Sequence, residues 1–364
     1  MELMQANQQW STRPDDQRFL SLIELQEHMA DLRQRSRSKV ISNRDVAIAP
    51  VAGNHKALVI ETSKNQAAVT NWAFGQLAQL AGAPAGYLRS LPTPIVADAM
   101  NYGLRYARDV EEMGILVSRE DQRDLITLRA ATGPNYGRIW NDDICRALVN
   151  RFGDGVSGEF RIPGEFGVQG QPITKQNTTI YGSDRDMWVF LADETNRITV
   201  DNRRNGRSGS LARGFFVWNS EVGAMSYGVA FFLFDYMCGN HIVWGAQEYK
   251  EVKGRHSSGA PHRWLEQVTP AIESFIHAKE GTVGDVIAAA QKKRVDDLDA
   301  FLKTRFTNAQ SEAIKLAHDA DEGRPMASLW DVATGITAYA RGVPHMNERV
   351  TIEREAGKVL ALAA

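Results

Sequence analysis

Four arginines, Arg203, Arg204, Arg207 and Arg213, fall in the segment from Asn196 to Asn219, with no acidic residue between the first and the last. Each guanidinium is a planar fork that can give a phosphate two charge-assisted hydrogen bonds, so a glycine- and serine-rich turn carrying several is a natural clamp for a polyanion. The same pattern also describes a solvated surface hairpin. A second basic stretch, Lys250, Lys253 and Arg255, begins where the apolar run Ile242 to Val252 ends. Upstream, Tyr136, Arg138 and Trp140 combine a cation with two aromatic faces. Two basic loops flanking a sheet, with aromatic rings nearby, would make a groove for a single nucleic-acid strand.

Other chemistries find less in the sequence. No phosphate-binding G-x-x-x-x-G-K-[ST] is present, and Gly164, Gly167 and Gly170 sit in a loop between Pro163 and Pro172. No cofactor is therefore expected. Cys238 and His241, with His256 or His262, make half of a zinc signature without a second tight pair, and Cys238 reads as a small buried residue at a strand end. No metal is expected. No G-x-S-x-G elbow surrounds Ser220, so no catalytic residue is assigned. The polar block Asn219, Ser220 and Glu221, with Asn240 and His241, is where an enzyme pocket would lie. A small basic cluster from Arg33 to Lys39 reads as a frayed, solvated helix end.

The elements that must position these residues follow from hydrophobic period. Residues 1–110 read as mainly helical, with helices over Phe19 to Arg35, Asn71 to Ala81 and Pro94 to Ala107. Residues 111–263 change to short apolar runs and turns, which predict hairpins and an antiparallel sheet core carrying the basic loops. The run VAFFLFDYM is nearly all apolar and predicts a strand buried on both faces. Residues 264–364 return to helices, with candidate capping boxes at Thr307/Gln310 and Ser328/Asp331. The fold class is α+β, a central antiparallel sheet between two helical regions.

Composition narrows the setting. With 364 residues and 43% hydrophobic content, a sizeable core is available. The formal charge is only −2, so nucleic-acid binding must come from local charge, and residues 196–263 do carry an excess of four positive charges. Two cysteines suit a reducing compartment. The N-terminus lacks a signal-peptide pattern and no run approaches the ~18 apolar residues of a membrane helix, so the expectation is a cytoplasmic protein with no membrane partner.

Several stretches resemble the family of phage- and plasmid-like proteins of unknown function. They include RPDDQRF at Arg13–Phe19, TGPNYGRIWND at Thr132–Asp142, RGFFVWNSEVGAMSY at Arg213–Tyr227, CGNHIVWG at Cys238–Gly245 and LWDVATGITAYARGVP at Leu329–Pro344. That resemblance implies a mobile-element protein in the cytoplasm of a bacterial host. The plan of basic hairpin and helix-flanked sheet also resembles single-strand annealing recombinases of the Redβ, RecT and Erf kind, which implies a ring or filament along single-stranded DNA. The leading expectation is thus a non-enzymatic, homo-oligomeric protein that binds or anneals single-stranded DNA in recombination or replication. Arg203, Arg204, Arg207 and Arg213 would hold phosphates opposite Lys250, Lys253 and Arg255, Tyr136 and Trp140 would stack bases, and Arg138 would add a cation. The alternatives are an enzyme using the Asn219–Glu221 and Asn240–His241 block, or a protein that binds a host factor.

Overall fold

In the computed structural model, the described residues are 13–106, 111–120, 125–163, 172–201, 203, 206–236, 240–243, 251–277 and 283–363. Ser21 caps helix α1 (Leu22–Arg35) by accepting from the Glu24 N–H, and Leu22, Leu25, Met29 and Leu32 form its buried stripe. The chain passes directly into β1 (Ser36–Ser42), then through the 3-10 turn Asn43–Asp45 into β2 (Ala47–Val51), β3 (Asn54–Glu61) and β4 (Gln66–Val69). Helices α2 (Asn71–Leu80), α3 (Ala85–Leu88) and α4 (Thr93–Tyr106) precede β5 (Glu112–Glu120) and β6 (Leu125–Thr132). The six strands form one sheet in the order β1-β5-β6-β4-β3-β2. Of its strand pairs, only β4–β6 is parallel.

The sequence predicts a mainly helical first hundred residues; Ser36–Val69 instead supplies four strands. The reason is visible in β1, SRSKVIS, whose polar residues lie on both faces and leave no hydrophobic alternation to read. Helices α2 and α4 cover one face of this sheet, where Phe74, Leu77, Met100 and Leu104 pack with Val69, Met113 and Leu128. The edges are blunted, β2 by Pro50 and β1 by Arg37 and Lys39.

After α5 (Asn141–Phe152) come β7 (Phe160–Arg161), β8 (Ile180–Gly182), β9 (Met187–Val200), β10 (Gly209–Asn219), β11 (Tyr227–Asp235), β12 (Asn240–Val243) and β13 (Val252–Gly254). They form a second, antiparallel sheet built on the path β12-β11-β10-β9-β7. As its apolar run predicts, β11 is buried along its whole length. The helical remainder comprises α6 (Ala260–Arg263), a π turn at Trp264–Val268, α7 (Thr269–His277), α8 (Val283–Lys292), α9 (Leu298–Lys303), α10 (Asn308–Glu322), α11 (Leu329–Arg341) and α12 (Met346–Leu360). One face of the second sheet packs Phe215 and Phe231 against α5 and α7 through Phe152 and Phe275. The other packs Phe190, Phe216 and Trp218 against Met346 and Val350 of α12. Both predicted capping boxes are present. Among the described residues, no helix is long and apolar enough to cross a membrane.

Gly103 marks the closest approach of α4 to the end of α2: a Cβ there would lie 2.1 Å from the Ala81 carbonyl oxygen. Backbone cannot yield as a side chain would, so Gly103→Ala is expected to cost about 1–3 kcal/mol. A lowered urea midpoint would register it; an unchanged midpoint would refute the close packing of these helices.

Candidate nucleic-acid interface

The arginine segment does not form the clamp its spacing predicts. Arg203 precedes a turn whose Gly206 has φ +70°, and its side chain is fully buried. Its Nη1 lies 2.8 Å from Asp235 Oδ2 and its Nε donates to Glu322 Oε1 at 2.9 Å. The guanidinium also lies 5.4 Å from the Trp330 ring centre. Arg213 is buried in β10, 3.8 Å from Asp193 and over the Phe275 ring. Charges removed from water must be compensated internally, and these are, so neither guanidinium faces solvent as a phosphate contact would require. Arg207 is exposed at the turn. Arg204 and Lys250 lie outside the described residues.

Nor do the two basic stretches face each other. Arg207 lies beyond the Leu211 end of β10, whereas exposed Lys253 in β13 pairs with Gly228, opposite Trp218. Seven residues of strand separate those ends, roughly 23 Å. Arg255, also exposed, follows Lys253 at the far end. The predicted two-banked groove over the second sheet is therefore absent from the arrangement of these described residues.

Tyr136, Arg138 and Trp140 do come together, with partners of their own. The Arg138 guanidinium lies 5.2 Å from the Tyr136 ring centre and 6.0 Å from that of Trp140, and Arg33 approaches Trp140 at 5.2 Å. His256 stacks on Tyr136 at 4.9 Å. The Tyr136 hydroxyl donates to Ser220 O at 2.7 Å. These half-buried rings are engaged by the chain itself, so a base stacking on the same faces would have to displace Arg33, Arg138 or His256. Burial pushes His256 down to about 4, although its Nδ1 lies within hydrogen-bond reach of Gly137 O, at 3.1 Å.

The polar block is a structural junction. Asn219 Nδ2 donates to Ile139 O and Asn141 Oδ1, and Ser220 Oγ donates to Arg185 O at 2.6 Å. Glu221, 2% exposed, accepts from Arg129 Nη2 at 3.0 Å and from Asn141 N at 2.9 Å. His241 instead stands opposite Phe234, with its Nδ1 3.6 Å from Glu353. Six residues of β11 separate Phe234 from Gly228, roughly 20 Å, so Glu221 and His241 do not line one pocket. The Asn240 side chain and Cys238 lie outside the described residues. Among the described residues, no three His, Cys, Asp or Glu side chains are grouped to hold a metal.

A groove without a counterpart among the sequence expectations lies on the first sheet. Helices α2 and α4 leave part of its face uncovered, forming an open trough of about 870 Å3. Ile41, Ile60, Ile115, Val117 and Ile126 form its apolar floor. Arg37 and Lys39 stand on β1, Arg44 on the 3-10 turn and Lys64 on the β3–β4 turn, against a single acid, Asp45, among the described lining residues. Arg37 donates to the carbonyls of Gln34 and Ser36, at 2.7 and 2.8 Å. Arg44 has an exposed contact with Glu111 at 4.0 Å. Lys39 and Lys64 have no carboxylate partner among the described residues. The cluster Arg33–Lys39 thus divides: Arg33 and Arg35 belong to α1 and pair with Asp143 and Asp31, while Arg37 and Lys39 alternate along a strand. That alternation, S-R-S-K, is the signal in the sequence that points to the groove.

Buried charge and buried imidazole can both be measured. Arg203→Ala leaves Asp235 and Glu322 buried without their cation and is expected to cost about 3–5 kcal/mol in urea unfolding; a cost within 1 kcal/mol would contradict the buried triad. His256 is depressed by burial, so its contribution is complete above the unfolded value near 6.5 and is lost as pH falls from there toward 4. His256→Gln should flatten the acid-side loss of stability in that window by up to about 3 kcal/mol, and an identical pH profile would exclude a buried neutral imidazole. No family model matches the chain, and neither the curated proteins nor the solved structures include a match to it.

Proposed function

We propose that the chain is a non-catalytic binding protein for single-stranded nucleic acid, and that the strand lies in the groove over the first sheet. The observation that carries this reading is the set of cations around that groove. Arg37, Lys39 and Lys64 lack carboxylate partners among the described residues, whereas Arg203 and Arg213 are sealed against acids. Cations two residues apart on one strand stand about 6.7 Å apart, a separation comparable with that of successive phosphates on an extended strand. The aliphatic floor offers sugars and base edges an apolar surface. Tyr102 and Tyr106, 66% and 72% exposed with ring centres 5.4 Å apart, lie on α4, the helix packed on the turn that carries Arg44. Exposed aromatic faces are what sequence-tolerant strand binding stacks bases on. The reading carries with it work in the cytoplasm of a bacterial host and several copies assembled along one strand.

Fluorescence anisotropy with a labelled single-stranded oligonucleotide at several salt concentrations tests it. Substituting Arg37, Lys39 and Lys64 together by Ala should reduce the log–log salt slope by about 2, at roughly 0.7 for each phosphate no longer neutralised. Substituting Arg207, Lys253 and Arg255 should leave the slope unchanged. The reverse pattern would remove the groove from the binding site, and no binding by the unaltered protein would remove the reading.

A further inference from the structure

We infer that Glu221 is a positioning residue for this groove: through two arginines it sets the register of β1 and so decides which face of that strand carries the cations. The inference rests on the strand-binding reading for its consequence, but not for its geometry. In β1, Ser36 and Ser38 alternate with Arg37 and Lys39. The cations line the groove. The serines meet the junction on the other face. Arg129 Nη1 donates to Ser36 Oγ at 3.0 Å while its Nη2 reaches the Glu221 carboxylate. Arg138 Nε donates to Ser38 Oγ at 3.3 Å while its Nη1 bonds the Glu221 carbonyl oxygen. One residue, with its side chain and its backbone oxygen, thus reaches both of these guanidinium groups behind β1, and Asp184 O at 3.0 Å is a second acceptor for Arg129 Nη2.

The need for such a device follows from the strand itself. β1 is at the edge of the sheet and pairs with β5, with Arg37 opposite Val117 and Lys39 opposite Ile115. A strand polar on both faces specifies its register weakly, and a slip of one residue moves every side chain to the opposite face. Slipped by one, β1 would turn Ser36 and Ser38 into the groove and Arg37 and Lys39 toward two arginines. The hydroxyl–guanidinium contacts favour the observed register; the like charges disfavour the other. Ser36 Oγ also donates to Leu32 O at 2.7 Å, tying the strand to the last turn of α1.

Amide hydrogen exchange of the free protein and oligonucleotide anisotropy, measured in parallel, test the inference. Glu221→Gln should raise exchange at residues 37–41 about tenfold or more, leave α2 and β3 protected, and weaken oligonucleotide binding to a similar degree. Ser36→Ala with Ser38→Ala, which keeps the Arg129–Glu221 pair intact, should do the same, and Ser36→Thr with Ser38→Thr should restore both readouts. Unchanged β1 exchange in the folded alanine variant would overturn the inference. So would a rise shared by α2 and β3, because Glu221 would then support the whole unit rather than one strand. Loosened β1 in a protein that binds no oligonucleotide even unaltered would uphold the register role and remove the nucleic-acid reading instead.

Discussion

Glu221 is nearly inaccessible to water, and a carboxylate so placed must be compensated at every oxygen. Arg129 and the Asn141 amide supply that compensation, and Arg138 satisfies the backbone carbonyl of the same residue. The three donors come from β6, from the start of α5 and from the segment between them, so satisfying one acid brings the first sheet against the β10–β11 turn of the second. Trp72 and Gln76 of α2 then donate to Val222 O, one residue further along. Leu116, Ala130 and Val222 close the same seam with an apolar contact. The two sheets do not share strands; they share this turn.

The same rule about buried charge separates structural cations from available ones. Arg13 meets Asp186 through two bonds of 2.8 Å in a dry site. Burial alone would raise the Asp186 carboxyl, but Arg13, with Ser183 and Trp188, outweighs it and holds the group below the usual range. Arg203 and Arg213 belong to this class. Arg203 ties the second sheet to α10, and Arg213 packs against the Phe275 ring of α7. A dense run of arginines in sequence therefore has no fixed meaning: burial of the partner acids decides whether it clamps a ligand or clamps the fold.

What could be read from the sequence was what nearby residues determine. The α1 stripe, both capping boxes and the all-buried β11 depend on spacings of three, four or a continuous run, and each was legible. The pairing of Arg203 with Glu322 spans 119 positions and the His256–Gly137 contact spans the same number, so neither leaves a local trace. Tyr136, Arg138 and Trp140 were legible as a cation beside two rings, but not as groups that contact one another and are joined by Arg33 and His256. Of the groove, the S-R-S-K alternation of β1 left a local trace and the rest did not. Its floor comes from β1, β3, β5 and β6, and its cations from a strand and two turns; only the tertiary fold makes them neighbours.

Edge protection explains part of that groove and not the rest. A cation on an outer strand discourages pairing with another sheet, which would suffice for Arg37 and Lys39. It gives no role to Lys64, on the β3–β4 turn, or to Arg44, on the turn before β2. It also leaves unexplained why Ile41, Ile115, Val117 and Ile126, each only partly buried, line a part of the sheet that α2 and α4 do not cover among the described residues. An apolar floor stays uncovered at a cost in hydrophobic free energy. Cations from three elements that surround it, with one acid among the described lining residues, are the arrangement that the proposed anionic ligand would complete.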